Sequence, residues 1–332
     1  MDQVAFIIGE TFIYWNSIIL LLAVLTAVFT FLAFYLMRQG NGIASALLIP
    51  LAAVLSILLA RVIHWYCRAD AYESLTAAMT QFAGGGYALM GVFAGCALAA
   101  VFLRLLRIVK DLPHTFDCLA LAGAAGISIG RLACLFTSAD RGMIIEGITS
   151  LPLAYPVNNA VTGETEYRLA TFMLQAIITG AVFRVLSVFH LLGQRKHKLR
   201  DGDTALLFLS AYCAPQAVLD STRYDSLFLR SNGFISVVQI LCAVALVVVL
   251  VIFSVRMVKA KGFRWWYVIL WFVSAAMLGG AGFMEYWVQR HGHQALFSYS
   301  IMSVCLAGVL TLTCVIRGIA VSQERENTKS IN

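Results

Sequence analysis

The sequence predicts an all-α polytopic membrane protein, and three observations support that class. Of the 332 residues, 61% are hydrophobic and 12% are charged, and the mean hydropathy is +0.84. Average soluble domains have about 45–50% apolar and about 25% charged residues. Runs of about 18–25 apolar residues, each long enough to span a bilayer as a helix, recur along the chain. A soluble enzyme, a disordered chain and a coiled coil are therefore excluded.

Nine such runs follow one another and predict about nine transmembrane helices. They lie near residues 12–36, 43–65, 84–106, 117–136, 168–191, 203–220, 234–256, 266–288 and 296–316. The longest connection joins the fourth run to the fifth, at roughly 138–167. Connections of this length within a compact fold are usually functional or disordered.

Basic residues predict how these helices are oriented. They follow the first, third, fifth, seventh and ninth runs: Arg38; Arg104, Arg107 and Lys110; Arg195, Lys196, Lys198 and Arg200; Arg256, Lys259, Lys261 and Arg264; Arg317, Arg325 and Lys329. Most acidic residues lie on the other connections. Because Lys and Arg accumulate in cytoplasmic connections, we expect an outside N-terminus and a cytoplasmic C-terminus. The net charge of +7 is explained by this topology, and no nucleic-acid partner is expected.

The last two helices are separated from the first seven by a basic linker at 256–265. This composition predicts a seven-helix body over 1–257, with two extra transmembrane helices and a cytoplasmic tail over 258–332. The eight cysteines form no CxxC pair and do not cluster with histidine. Neither a disulfide framework nor a metal site is expected.

Charged residues within the predicted spans are candidate functional groups, because charge in hydrocarbon is costly. Four arginines are expected in the outer half of the bilayer, within the fourth run and at the ends of three others: Arg131, Arg61, Arg168 and Arg223. Since a guanidinium holds phosphate through a planar fork, this cluster predicts recognition of an anionic phospholipid. The simpler alternative is snorkelling of arginines from helix ends, with Asp220 paired to Arg223.

A run of three glycines, Gly84, Gly85 and Gly86, opens the third apolar run. Such a run is unfavourable in a helix and suggests bare backbone amides at a helix N-terminus, which can bind an anion. A plain loop or cap is the alternative interpretation. Gly91 and Gly95 lie four residues apart, a spacing typical of close packing between transmembrane helices.

The order and spacing of six segments resemble the prolipoprotein diacylglyceryl transferase family over about residues 12–257. The strongest is GRLACLFTSADRG at 130–142, in which Gly130, Arg131, Cys134 and Gly142 match the family signature. The other segments are LLARVIHWY (58–66), GGGYALMGVFAG (84–95), LPLAYPV (151–157) followed by Arg168, AYCAPQAVLDSTR (211–223) with Tyr212, Asp220 and Arg223 in place, and GFISVVQIL (233–241).

The resemblance implies a seven-helix transferase body in the bacterial plasma membrane, with its active site facing the outer leaflet. The implied reaction moves the diacylglyceryl group of phosphatidylglycerol onto the thiol of a lipobox cysteine in a secreted preprotein, and glycerol phosphate leaves. No cofactor is implied. The implied partners are phosphatidylglycerol, lipobox-containing preproteins and membrane lipids.

Roles for individual residues follow from the needs of this reaction. Arg131 is expected to stabilise the departing phosphate. The rest of the expected headgroup site is Arg61, Arg168, Arg223, Gly85, Gly86, Tyr212 and Asp220. His64 is the expected base, because an ordinary histidine pKa lies near working pH; Asp140 and Tyr66 are alternatives. His64 as a plain interfacial residue beside Trp65 is the competing interpretation.

Departures from the family pattern keep another function open. Met90 stands where the family has a histidine, and Gln216 stands where it has an arginine. These changes favour the alternative of a catalytically altered or inactive paralogue that binds anionic phospholipid or serves a different acceptor. A transporter is a third class, but the sequence shows neither an internal repeat nor matching Pro/Gly-broken helices.

Overall fold

The computed structural model describes residues 3–38, 40–80, 85–137, 139–159, 163–195, 199–229, 232–292 and 294–329. In these residues, each of the nine predicted runs contains a long helix, which confirms the all-α polytopic class. The helices are α1 (Trp15–Met37), α2 (Gly42–Cys67), a short α3 (Leu75–Thr80), α4 (Leu89–Leu105), α5 (Leu112–Gly130), α6 (Thr171–Arg195), α7 (Asp203–Ser221), α8 (Val237–Lys261), α9 (Trp266–His291) and α10 (Ala295–Lys329).

Seven of these helices are long and apolar enough to cross a membrane: α1, α2, α5 with the turn after it, α6, α8, α9 and α10. Helix α4 has the apolar character but only 17 residues. Helix α7 contains Asp203, Gln216 and Asp220, and all three are buried in the protein. The chain is therefore a multi-pass membrane protein in which α7, a long helix with several buried polar residues, lies inside the bundle.

In the part of the chain that the structure describes, three antiparallel β-hairpins, which the sequence did not predict, precede α1, α6 and α8. They pair β1 (Val4–Ile8) with β2 (Thr11–Tyr14), β3 (Ala154–Asn158) with β4 (Thr165–Leu169), and β5 (Phe228–Leu229) with β6 (Asn232–Ser236). An even number of long helices separates each hairpin from the next, so all three lie at one end of the bundle. We call this end the hairpin face; it also carries the connection between α2 and α4.

Several predicted helix boundaries were wrong at the hairpin face. Arg131 was expected within a helix; α5 ends at Gly130, and Arg131 begins a 3-10 turn to Phe136 that belongs to the same membrane-spanning segment. Arg168 was expected to open a helix, but it lies in β4. Helix α4 begins at Leu89, because Gly85 and Gly86 have φ angles of +72° and +81°, which a right-handed helix does not accept.

Close packing of α4 on α2 explains two of the glycines. A Cβ added to Gly91 would lie 2.4 Å from the Ala60 Cα, and one added to Gly95 would lie 2.5 Å from the Ser56 Cα. Side chains larger than hydrogen would separate the two helices, as the small-residue spacing predicted.

Helix α7 lies near the centre of the bundle and contacts α5, α6, α8 and α10. Helix α10 packs against α7 and α8 as well as α9. The last two helices are thus joined to the body, while the division of the chain at residue 257 stays a prediction.

Candidate functional site

Asp140 is a buried carboxylate at the hairpin face, held between two arginines. It is 4% exposed and forms ion pairs with Arg131 and Arg223. Its backbone N–H donates to Asp225 Oδ2 at 2.9 Å, and its carbonyl accepts from the Thr171 hydroxyl. These backbone contacts hold Asp140 at a φ angle of +56°, which L-residues rarely adopt.

The charge state of Asp140 follows from two opposed effects. Burial raises the pKa of its carboxyl, but the Arg131 and Arg223 guanidiniums more than offset burial and hold the pKa below its usual range. Asp140 is therefore ionised at neutral pH. The trio of two guanidiniums and one carboxylate has a net charge of +1, before the Asp220 and Asp225 carboxylates that also face Arg223 are counted.

Arg223 also faces two other carboxylates. Its Nε donates to Asp225 Oδ1 at 3.0 Å, and its Nη1 lies 3.8 Å from Asp220 Oδ1. Asp220 in turn accepts a hydrogen bond from the Ser236 hydroxyl through its other oxygen. Arg223, just beyond the end of α7, is thus fixed from three sides.

Arg131 contacts a network of polar side chains between α6 and α7. The Tyr212 hydroxyl lies beside the Arg131 side chain and accepts from Gln175 Nε2 at 2.9 Å. The same Gln175 amide donates to Gln216 Oε1. Gln175, Tyr212 and Gln216 also line a groove between α6 and α7, together with Thr179. Polar groups therefore extend from the Asp140 ion pairs into this groove.

Arg61 is the centre of a second group at the hairpin face. It is 1% exposed, and its Nη1 donates to the Gly85 carbonyl and, at 3.2 Å, to the Gly86 carbonyl. Its guanidinium carbon lies 5.7 Å and 5.0 Å from the ring centroids of Tyr72 and Tyr87. The carbonyls of the two glycines thus bind a protein cation, and anion binding by their amides stays a prediction; Gly84 lies outside the described residues.

His64 belongs to the same group, one turn along α2 from Arg61. Its Nδ1 lies 3.0 Å from the Tyr72 hydroxyl, and the two rings meet edge to face at 5.8 Å. From the end of α2, Arg68 Nη2 donates to the Asp225 carbonyl at 3.3 Å. This contact links the helix that carries His64 to the loop that supports Asp140.

We call the cluster of Arg131, Asp140, Tyr212, Asp220 and Arg223 the Asp140 centre. Arg168 lies next to this centre without being part of it. It pairs with Glu166 at 3.0 Å along β4, and its guanidinium carbon lies 5.1 Å from the centroid of the Tyr224 ring. The Tyr224 N–H donates to the Arg141 carbonyl at 3.4 Å.

The structure brings the predicted site residues together in two groups. One cluster consists of Arg131, Asp140, Tyr212, Asp220 and Arg223, with Arg168 beside it. The second group consists of Arg61, His64, Gly85 and Gly86.

Arg141 is a buried cation that the sequence analysis missed. It is 1% exposed, and its Nη2 donates to the carbonyls of Cys134 and Thr137 at 2.7 Å and 2.6 Å. Its guanidinium carbon lies 4.0 Å from the Tyr155 ring centroid and 4.5 Å from that of Phe172. The available signal was an Asp-Arg pair inside the strongest motif. Arg141 holds the loop that turns Asp140 toward its partners.

Arg141→Ala is expected to destabilise the protein by about 3 kcal/mol, because it leaves the half-buried Cys134 and Thr137 carbonyl oxygens without their charged donor. Arg184→Ala is the matched control, since Arg184 is an exposed arginine on α6. Thermal unfolding of both variants in detergent checks the difference. Equal unfolding temperatures would show that Arg141 does not support the loop.

Within the residues that the structure describes, no group of three or more His, Cys, Asp or Glu side chains is arranged to hold a metal ion.

Comparison with known proteins points to the same part of the chain. A family model described as prolipoprotein diacylglyceryl transferase matches residues 3–255. The phosphatidylglycerol--prolipoprotein diacylglyceryl transferase of Streptococcus suis (strain 05ZYH33) is 25% identical over 258 residues, covering 75% of this chain and 92% of the relative. Those of Streptococcus sanguinis (strain SK36) and Bacillus licheniformis are also 25% identical, covering 75% and 74% of this chain and 95% and 92% of the relatives.

Proposed function

Because the chain belongs to the prolipoprotein diacylglyceryl transferase family, we propose that it transfers the diacylglyceryl group of phosphatidylglycerol to a lipobox cysteine thiol in a secreted preprotein. The observation that carries the proposal is the convergence of Arg131 and Arg223 on one buried anionic position. Two fixed guanidiniums there offer the planar donors that a phosphodiester requires.

The proposed reaction is a displacement at the glycerol carbon that bears the phosphate. The thiolate sulfur forms a bond to that carbon, the carbon–oxygen bond breaks, and glycerol phosphate leaves with the electron pair. The thiol proton passes to a base on the protein, and no cofactor is needed. Arg131 and Arg223 stabilise the negative charge that develops on the leaving phosphate.

Asp140 competes with a lipid headgroup for the two arginines. Its carboxylate occupies donors of both arginines, so a phosphate that takes the same donors competes with it. A displaced Asp140 carboxylate loses two cationic neighbours and becomes a stronger base. This exchange supports Asp140 as the alternative acceptor of the thiol proton.

His64 is the proposed base, and its contact with Tyr72 fixes the orientation of the imidazole. His64→Ala is expected to lower transfer about 10²–10⁴-fold, the usual range for loss of a general base. His291→Ala is the matched control, because His291 is exposed on α9, beyond the family match. A His64→Ala variant with full activity would assign the proton transfer to another group.

The hairpin face is proposed to lie on the outer side of a bacterial plasma membrane, which places the site at the outer leaflet. The excess of Lys and Arg on the opposite connections supports this orientation. We also propose residues 1–257 as the transferase-like domain, to which residues 258–332 add two helices and a cytoplasmic tail. If this orientation holds, a reporter that is active only in the cytoplasm should be active when it is fused after α10.

The second candidate is a paralogue that binds anionic phospholipid, or serves another acceptor, without the usual turnover. The observation that favours it is Gln216, a neutral side chain bonded to Gln175 where the family has an arginine. Met90, in the first turn of α4, supplies no imidazole.

One assay separates the two candidates. Purified protein is mixed with phosphatidylglycerol and a lipobox peptide, and mass spectrometry follows the thioether product and released glycerol phosphate. Product supports the transferase. Binding of phosphatidylglycerol without product supports the paralogue, and the absence of both contradicts each candidate.

A further inference from the structure

Helix α10 is packed into the body along most of its length. Its buried residues recur every three or four positions and form one continuous stripe: Ser298, Met302, Leu306, Val309, Thr313, Ile316 and Ala320. Helix α10 contacts α7, α8 and α9. A helix with such a stripe is held by packing in a defined register against its neighbours.

Two polar contacts join α10 to the two ends of α7. The Tyr299 hydroxyl donates to the carbonyl of Ser221, the last residue of α7, at 3.3 Å. Arg317 Nε donates to a carboxylate oxygen of Asp203, the first residue of α7, at 2.9 Å. The same number of residues separates the two contacts on each helix, so both helices rise about 27 Å between them. Helix α10 therefore spans the whole of α7.

The Asp203 end of α7 is fixed by several elements at once. Asp203 is 2% exposed, and its second oxygen accepts from Arg256 Nη1 of α8 at 2.6 Å. Just before and after it, the N–H groups of Gly202 and Ala205 donate to the buried Asp117 carboxylate of α5 at 2.8 Å and 2.7 Å. The axial position of α7 is thus defined at this end.

The other end of α7 leads directly to the Asp140 centre. Asp220 lies in its last turn, and Arg223 follows its end by two residues. Arg131, in contrast, stands on the turn after α5. Any shift of α7 along its axis therefore moves one guanidinium relative to the other, and misplacement by about 1 Å can cost about 10²-fold in rate.

We propose that Arg317 and Tyr299 of α10 are positioning residues that hold α7 so that Arg223 and Arg131 face the same anion. In this proposal, helices α9 and α10 help to position the active-site arginines and do not form a separate domain. This inference rests on the proposed function for its chemical meaning, but the position of α7 can be measured without any turnover.

The experiment compares Arg317→Ala with Arg317→Lys, Tyr299→Phe and Arg290→Ala in the full chain. Arg290 is the matched control, because it is an exposed arginine of α9 whose guanidinium lies over Tyr286 of the same helix. Hydrogen–deuterium exchange of the 218–226 segment reports on the end of α7. Binding of phosphatidylglycerol in detergent micelles, with kcat and KM in the transfer assay, reports on the site.

In Arg317→Ala we expect several-fold faster exchange in the 218–226 segment and a kcat lowered about tenfold, with a smaller change in KM. Arg317→Lys should recover part of both effects, because the charge returns without the planar fork. Tyr299→Phe should speed exchange at 218–226 to a smaller extent. Arg290→Ala should change neither readout.

Exchange that rises only near Asp203 and α10, with the 218–226 segment, kcat and phospholipid binding unchanged, would overturn the inference. If the wild-type protein shows no binding and no turnover, the proposed function fails. The exchange readings would still decide whether α10 positions α7.

Discussion

Arg131→Ala is expected to lower diacylglyceryl transfer about 10²–10³-fold, the usual cost of removing one donor that stabilises a developing anion. The reason is geometric. Arg131 begins the turn after α5 and meets Arg223, from the end of α7, at the same buried carboxylate. Removal of one guanidinium leaves the leaving phosphate with a single fixed cation.

The affinity for phosphatidylglycerol should fall with the rate, because the proposed contact of Arg131 with the headgroup is made in the ground state as well. Arg131→Lys should retain part of both, since lysine supplies the charge but lacks the bidentate fork. Arg184→Ala provides the control, because that exposed arginine lies about 20 Å further along α6 than the hairpin face. The measurement is product formation by mass spectrometry, with phospholipid binding measured on the same samples.

Two outcomes would contradict this role. If Arg131→Ala retains wild-type transfer and binding, the Asp140 centre is not the phosphate site, and the Arg61 group becomes the leading candidate. If Arg184→Ala loses as much activity as Arg131→Ala, the effect reflects general loss of an arginine from the bundle and not the local geometry.

The helices could be predicted because the membrane imposes a simple rule on the sequence. Each span must satisfy its backbone hydrogen bonds internally and present apolar side chains, so a long apolar run indicates a helix. That rule does not apply to segments outside the membrane, where strands and turns are also stable. The β3–β4 hairpin lies mostly in the 138–167 connection, which has no apolar run, and its last residues, with Arg168, lie at the start of the predicted 168–191 run.

The candidate site could be predicted only as a set of residue types. Arginines within or beside spans are costly, which identified Arg131 and Arg223. Their meeting at Asp140 depends on contacts between segments far apart in the chain, and a local pattern contains no information on such contacts. Arg141 was missed for the same reason, since its carbonyl and aromatic partners come together only in the folded loop.

Asp140→Asn is expected to cost about 3–5 kcal/mol of unfolding free energy, because it leaves the half-buried Arg131 guanidinium without its counter-charge and removes one of the three carboxylates that face Arg223. Under the proposed function, the phosphatidylglycerol headgroup takes the same donors, so the variant should bind it more tightly than the wild type and regain stability on binding. Asp201→Asn is the matched control. Asp201 pairs with Arg38 at the other end of the bundle, where both side chains are partly exposed, and such pairs contribute about 0–1 kcal/mol.

The pH dependence of this difference provides a separate check on the assignment. The native pKa of Asp140 is lowered, so the ion pairs contribute fully above the ordinary aspartate value of 3.8 and are lost as the pH falls through the lowered value. The stability gap between wild type and Asp140→Asn should therefore be constant from about pH 5 to 8 and close below about pH 4. A gap that instead opens on acidification, or a variant that binds phosphatidylglycerol no better than the wild type, would show that Asp140 and the headgroup do not share the two arginines.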